Sequence, residues 1–201
     1  MVKMEKKFDE VYQFKITLKG SKPPIWRRIQ VPSIYSFWDL HIAIQDCMGW
    51  LDYHLHQFDI KDPSSMRKVR IGIPDKEGFD PDILSGWKQK IAEYFSMENS
   101  SAGYIYDFGD SWEHNVKLEK IIPRDENINY PICIKGKRAG PPEDCGGLWG
   151  YENLFEILKD TGHEEYEETM AWLGKEFDPE YFDANEVHFD DPAKRFKIAF
   201  S

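Results

Sequence analysis

The stretch VYQFKITLKGSKPPIWRRIQV, residues 11–31, decides the fold class. Its first half alternates: Tyr12, Phe14, Ile16 and Leu18 fall on one side, and Gln13, Lys15, Thr17 and Lys19 on the other. A side-chain period of two belongs to a strand with one buried and one wet face. GSKPP at 20–24 carries turn residues. IWRRIQV then resumes the alternation, with Ile25, Arg27, Ile29 and Val31 opposite Trp26, Arg28 and Gln30. Two alternating runs joined by a turn predict an antiparallel hairpin.

The period changes downstream. Phe37, Leu40, Ile44, Cys47 and Met48 share one helical face; Ser36 and Asp39 suit its capping box and Gly49 its end. Residues 50–60 read as strand, as do 69–73, and 74–82 reads as a loop from its Pro, Gly and Asp content. Ile83, Leu84, Trp87, Ile91, Tyr94 and Phe95 suggest a short helix. Residues 103–121 read as a second hairpin turning near 108–111, with Trp112, His114, Val116 and Leu118 on one face. A short strand at 130–136 follows. Helical faces over 151–158 and 166–173 end at Gly162 and Gly174, and Asp178-Pro179 reads as a further helix start. Strands fill the first two thirds and helices the last. That pattern predicts an α+β fold, a single domain over 1–201 with a curved antiparallel sheet and helices packed mainly on one face.

Composition narrows the function. Forty-one per cent hydrophobic and fifteen per cent aromatic residues suffice for a core. The charged N-terminus lacks the apolar core of a signal peptide, and no apolar run approaches membrane-helix length, so a soluble cytoplasmic protein is expected. Cys47, Cys133 and Cys145 form no C-x-x-C pair, which fits reduced thiols and excludes a zinc ribbon. The net charge is −10, concentrated in residues 141–201, where 16 acids face 5 bases. Such a field repels a phosphate backbone and disfavours nucleic acid as a partner.

Several segments together resemble the plasmid pRiA4b ORF-3-like family: PPIWRRIQV (23–31), DLHIAIQDCMGW (39–50), HLHQF (54–58), YDFGDSWEH (106–114), PICIKGKRAGPPEDCGG (131–147), GYENL (150–154) and FDPEYFD (177–183). The resemblance runs from about residue 10 to 190. It implies a stand-alone or fused domain of bacteria and archaea, and it brings no catalytic assignment. Where a second histidine is expected after His163, this chain reads HEEY.

Candidate chemistry lies in four places. His54 and His56 alternate, so on a strand their rings stand side by side, a possible pair of metal ligands or a hydrogen-bonded pair beside the core. Asp107, Asp110, Glu113 and His114 surround a tight turn, and carboxylates with an imidazole suit acid–base or metal-assisted hydrolysis. Trp26 beside Arg27 and Arg28 invites nucleic acid, yet neighbours on a strand face opposite ways; one arginine is expected outside and the other paired with a carboxylate inside. AGPPEDCGG (139–147) reads as a stiff wall presenting Glu143 and Asp144 to an arginine of PPIWRR or to a cation, with Cys145 as a small buried residue.

The expected function is a non-catalytic binding or interaction module for a protein or small molecule. Its polar cleft is built from 54–56, 107–114 and 143–147. A metal-dependent hydrolase with the same groups (His54, His56, Asp110 and His114 as candidate ligands) is the alternative, and a nucleic-acid-associated protein of mobile elements a second. No cofactor is expected beyond a possible divalent metal.

Overall fold

The computed structural model describes residues 7–74, 82–174 and 176–200. The opening hairpin forms as read: β1 (Glu10–Leu18) pairs antiparallel with β2 (Trp26–Pro32). Next comes α1 (Phe37–Met48). Both bonds of its capping box are present, Asp39 N–H to Ser36 Oγ at 3.2 Å and Ser36 N–H to Asp39 Oδ2 at 2.8 Å. It ends at Gly49, at φ 85°, where Trp50 N–H donates back to Gln45 O at 3.0 Å. That left-handed cap needs a residue without a Cβ.

The chain continues through β3 (His56–Lys61), β4 (Lys68–Gly72), β5 (Ile83–Ser85) and one helical turn, α2 (Ile91–Tyr94). Then follow β6 (Ser101–Tyr106), β7 (Trp112–Pro123) and β8 (Ile132–Lys137). The last third holds α3 (Gly147–Lys159), α4 (Tyr166–Leu173), a 3-10 turn at Ala184–Glu186 and α5 (Pro192–Ala199). The strands form one sheet in the order β5-β4-β3-β6-β7-β1-β2-β8.

The fold is α+β, with four local departures from expectation. The sheet is mixed, because the edge pair β4–β5 runs parallel while the other pairings are antiparallel. Residues 83–95 divide into β5 and α2, since Gly86 N–H pairs with Gly72 O and draws the start of the segment onto the sheet edge. Asp178 caps no helix: its Oδ1 accepts Glu180 N–H at 2.9 Å within a turn. Helix α3 ends at Lys159, with Gly162 in the turn beyond. Residues 75–81 of the expected loop lie outside the described residues.

The alternation puts Phe14, Ile16, Ile29, Phe58, Tyr104, Val116 and Leu118 in one core, against α1 residues Phe37, Leu40 and Ile44. Helix α1 is buried almost all round, polar His41 and Gln45 included.

Candidate functional site

Arg27 shows how sheet and helix are joined. As the alternation requires, it points inward and is 1 % exposed. Its partners among the described residues are backbone carbonyls, not the expected carboxylate: Cys47 O at 2.6 Å, Trp26 O at 3.0 Å and Lys137 O at 3.1 Å. Cys47 lies in the last turn of α1, which has no basic residue of its own. The guanidinium therefore meets the negative end of the helix and satisfies a carbonyl that the helix leaves free. Phe182 covers its other face, 3.8 Å from the guanidinium carbon. Arg28, on the outer face, makes the ion pair, with Glu119 at 2.6 and 2.8 Å. Lys15 and Arg28 both lie over the Trp26 ring, so this tryptophan is already engaged by two cations.

His54 and His56 do not stand side by side. Asp52, at φ 63°, breaks the extended path, and the strand begins only at His56. His56 turns into the core and stacks on His41, with ring centroids 3.4 Å apart and planes 9° apart. His41 is the member that sequence reading missed. Gln45 Nε2 donates to Tyr104 Oη at 3.0 Å, and that hydroxyl lies 2.9 Å from His41 Nδ1. His41 Nε2 lies 2.8 Å from Asp52 Oδ1. A neutral His41 satisfies every link, accepting from Tyr104 and donating to Asp52. The signal for it was the four-residue spacing of His41 and Gln45 on one helical face.

His54 stays outside and meets residues from two distant segments. Its Nε2 lies 2.8 Å from Asp144 Oδ1 and 3.7 Å from Asp107 Oδ2. Asp107 N–H donates to Leu55 O at 2.9 Å, and Tyr53 N–H to Tyr106 Oη at 3.0 Å, which fix the segment flanking His54. Asp107 and Asp144 sit at φ 55° and 56°, a region that aspartate tolerates better than most residues.

The loop 139–147 is the wall that its composition suggested, but its acids avoid the arginines. Glu143 accepts Leu51 N–H at 2.8 Å and the Tyr106 hydroxyl at 3.0 Å. Trp50 Nε1 donates to Pro141 O at 2.8 Å, and Gly146 N–H to Asp110 Oδ2 at 3.1 Å. Of the expected cleft residues, His54, Asp107 and Asp144 converge, Glu143 binds Leu51 and Tyr106 beside them, and Asp110 braces the loop. Glu113 is exposed and pairs with Lys19 instead. Cys145 is half-buried, with its thiol pushed up to about 12 chiefly by burial. The three cysteines are free thiols.

His114 is fully buried between Trp50 and Tyr104, far from being a cleft ligand. Burial drives its pKa down to about 3. An unfolded imidazole titrates near 6.5, so between pH 6 and 4 the unfolded chain binds one more proton here than the native chain. Stability from this group is complete above that range and falls by about 1.4 kcal/mol per pH unit within it. Burial moves His41 and His56 the same way. Asp46 and Asp52 act in the opposite sense: burial raises both to about 6, so the native state takes up their protons first. With three imidazoles against two carboxylates, net loss of stability is expected on acidification below about pH 6. Urea unfolding at pH 7, 6 and 5 checks this, and His114→Phe should shallow the loss by one proton's slope. An unaltered slope in that variant would show that the buried ring does not stay neutral.

Fold and site define a class: an α+β domain with one open sheet, eight-stranded among the described residues, and a cluster of His54, Asp107 and Asp144 where three loops meet. Comparison with known proteins gives it a family. The model described as plasmid pRiA4b ORF-3-like protein matches residues 10–186, and the chain belongs to that family. The "Uncharacterized protein y4hQ" of Sinorhizobium fredii (strain NBRC 101917 / NGR234) is 36 % identical over 164 residues, covering 82 % of this chain and 81 % of that protein. The crystal structure of the "Protein of Unknown Function MM3350" from Methanosarcina mazei Go1 matches with a TM-score of 0.85 and 54 % identity. That match covers 91 % of this chain and all (100 %) of the other. Among the described residues no helix is long and apolar enough to cross a membrane.

Proposed function

We propose that this chain is a cytoplasmic, non-catalytic interaction module whose acidic, aromatic groove receives a basic, amphipathic segment of a partner protein. One observation carries the reading. The loop 139–147 also borders a groove of 860 Å3 whose apolar lining includes Leu51, Trp172, Phe177 and Tyr181. The charged groups lining it, among the described residues, are Glu143, Glu176 and Asp178, all negative. Trp172, Tyr181 and Leu51 are 51 %, 53 % and 54 % exposed. Exposed aromatic faces beside carboxylates favour lysine or arginine with apolar neighbours, through cation–π contact and charge complementarity.

A second hollow, of 910 Å3 beside Trp149, supports a partner less well. Its lining mixes signs, and Arg138 there is already tied to Glu180 at 2.7 Å and to Pro23 O at 2.9 Å. Two features favour binding over hydrolysis. His56 and His114 lie inside the core, and burial keeps the Cys145 thiol protonated.

The test uses synthetic peptides on the full chain. A helical peptide with leucines spaced three and four apart on one face and lysines on the other is expected to bind, more weakly as salt rises. Its glutamate counterpart should not bind. Trp172→Ala should lower affinity at least tenfold, about 1.4 kcal/mol, because a central tryptophan concentrates binding energy. Equal binding of the two peptides, or no effect of Trp172→Ala, would refute the reading.

A further inference from the structure

The side-chain cluster around His54 has chemistry separate from the groove. Among the described residues, two groups of side chains bring at least three candidate ligand atoms within 4.8 Å of one another: His41, Asp52 and His56 inside, and His54, Asp107 and Asp144 at the surface. Their geometry separates them. The inner imidazoles lie parallel, 3.4 Å apart. Ring-nitrogen lone pairs lie in the ring plane, so two stacked rings cannot both aim at one ion. Both His41 nitrogens are also engaged, by Tyr104 and Asp52. The inner group is a packed network.

The surface group has the opposite character. One oxygen of Asp107 accepts Gly109 N–H at 2.8 Å, which leaves Oδ2 facing His54 Nε2 at 3.7 Å, beyond hydrogen-bond distance. Asp107 is only 8 % exposed, so this carboxylate is largely removed from water. Asp144 Oδ1 approaches the same nitrogen at 2.8 Å. Bound to one ion at about 2.0–2.2 Å, two such donors stand about 3.4 Å apart in tetrahedral geometry. The two separations to His54 Nε2, 2.8 and 3.7 Å, lie on either side of that value, and the three ligand atoms lie within 4.8 Å of one another. The flanking backbone is held by Leu55 O, Tyr106 Oη and Asp110 Oδ2.

We infer that His54, Asp107 and Asp144 form a binding site for one divalent transition-metal ion, with the ion's remaining positions open to water or to a partner's ligand atom. One imidazole and two carboxylates are a borderline-to-hard donor set, suited to Zn2+ or Mn2+. The site stands or falls independently of the groove, and Trp172→Ala is expected to leave metal uptake unchanged.

The probe is Zn2+ alone, titrated calorimetrically into untagged, chelator-treated full chain. One ion per chain is expected, with a dissociation constant of micromolar or tighter and a raised melting temperature. His54→Gln, Asp107→Asn and Asp144→Asn should each weaken uptake at least tenfold. Asparagine is chosen because it keeps the shape and tolerates the left-handed backbone at both acids. Circular dichroism of the metal-free variants checks the fold. Should Asp107→Asn misfold, Asp144→Asn decides, because its side chain is 61 % exposed and its replacement leaves the core untouched. Absence of Zn2+ binding below about 100 μM, a micromolar being about 8.2 kcal/mol, overturns the assignment. So does uptake that survives both His54→Gln and Asp144→Asn, or uptake lost in His56→Ala but kept in His54→Gln.

Discussion

Arg27→Ala is expected to destabilise the chain by about 3–5 kcal/mol. Three carbonyls lose their shared donor, and Phe182 loses the guanidinium packed on its ring. At about 2–4 °C per kcal/mol for a chain of this size, the melting temperature should fall by roughly 10–15 °C. Arg27→Met separates the causes. It restores much of the volume and removes a buried charge, but gives no donor to Cys47 O, so it should recover part of the loss and not all. Arg27→Lys should not rescue fully, since one ammonium cannot reproduce the planar fork that reaches α1, β2 and β8 together. A loss below about 1 kcal/mol in Arg27→Ala would mean that the helix end is satisfied without it.

Gly140→Ala is expected to cost about 2–4 kcal/mol and to abolish both Zn2+ uptake and peptide binding. A Cβ at Gly140 would collide with the carbonyl oxygen of Met48. That atom belongs to the end of α1, which is itself held by Arg27 and the Gly49 cap, so the loop must yield. Pro141, Glu143 and Asp144 follow directly and carry the contacts to Trp50, Leu51 and His54. Gly150→Ala should behave alike, because its Cβ would strike the Cys145 carbonyl. Gly162→Ala is the control: its nearest neighbour is a carboxylate oxygen of Asp160 at 3.2 Å, at the end of a side chain that can swing aside. Thermal melts and the two titrations report on all three variants. A Gly140→Ala chain that keeps its melting temperature and still binds Zn2+ would show that the loop does not need this close approach.

The glycines of the loop were visible in the sequence; their reason was not. Gly146 and Gly147 have φ values of 88° and 68°, and a Cβ at Gly147 would lie 2.6 Å from the Asp110 carbonyl. The glycines let the loop lie against the β6–β7 turn. Likewise, Glu143 and Asp144 were recognisable as acids aimed at something positive or polar. The arginines named for them were wrong because Arg27 is taken by a helix end and Arg28 by Glu119.

The alternation of residues 11–31, the capping box at Ser36, the glycine cap at Gly49 and the inward face of Trp112, His114, Val116 and Leu118 were fixed by the sequence itself, because periods of 2 and 3.6 and cap chemistry are local properties of the backbone. Only the tertiary structure decided which polar groups meet. His54 and Asp144 are 90 residues apart, and Arg27 lies 20 from Cys47 and 110 from Lys137. The strand order β3-β6-β7-β1-β2-β8 brings those segments together. His54 lies in a bend ahead of β3, which begins at His56, so the two-residue period that would align the two rings does not extend back to His54.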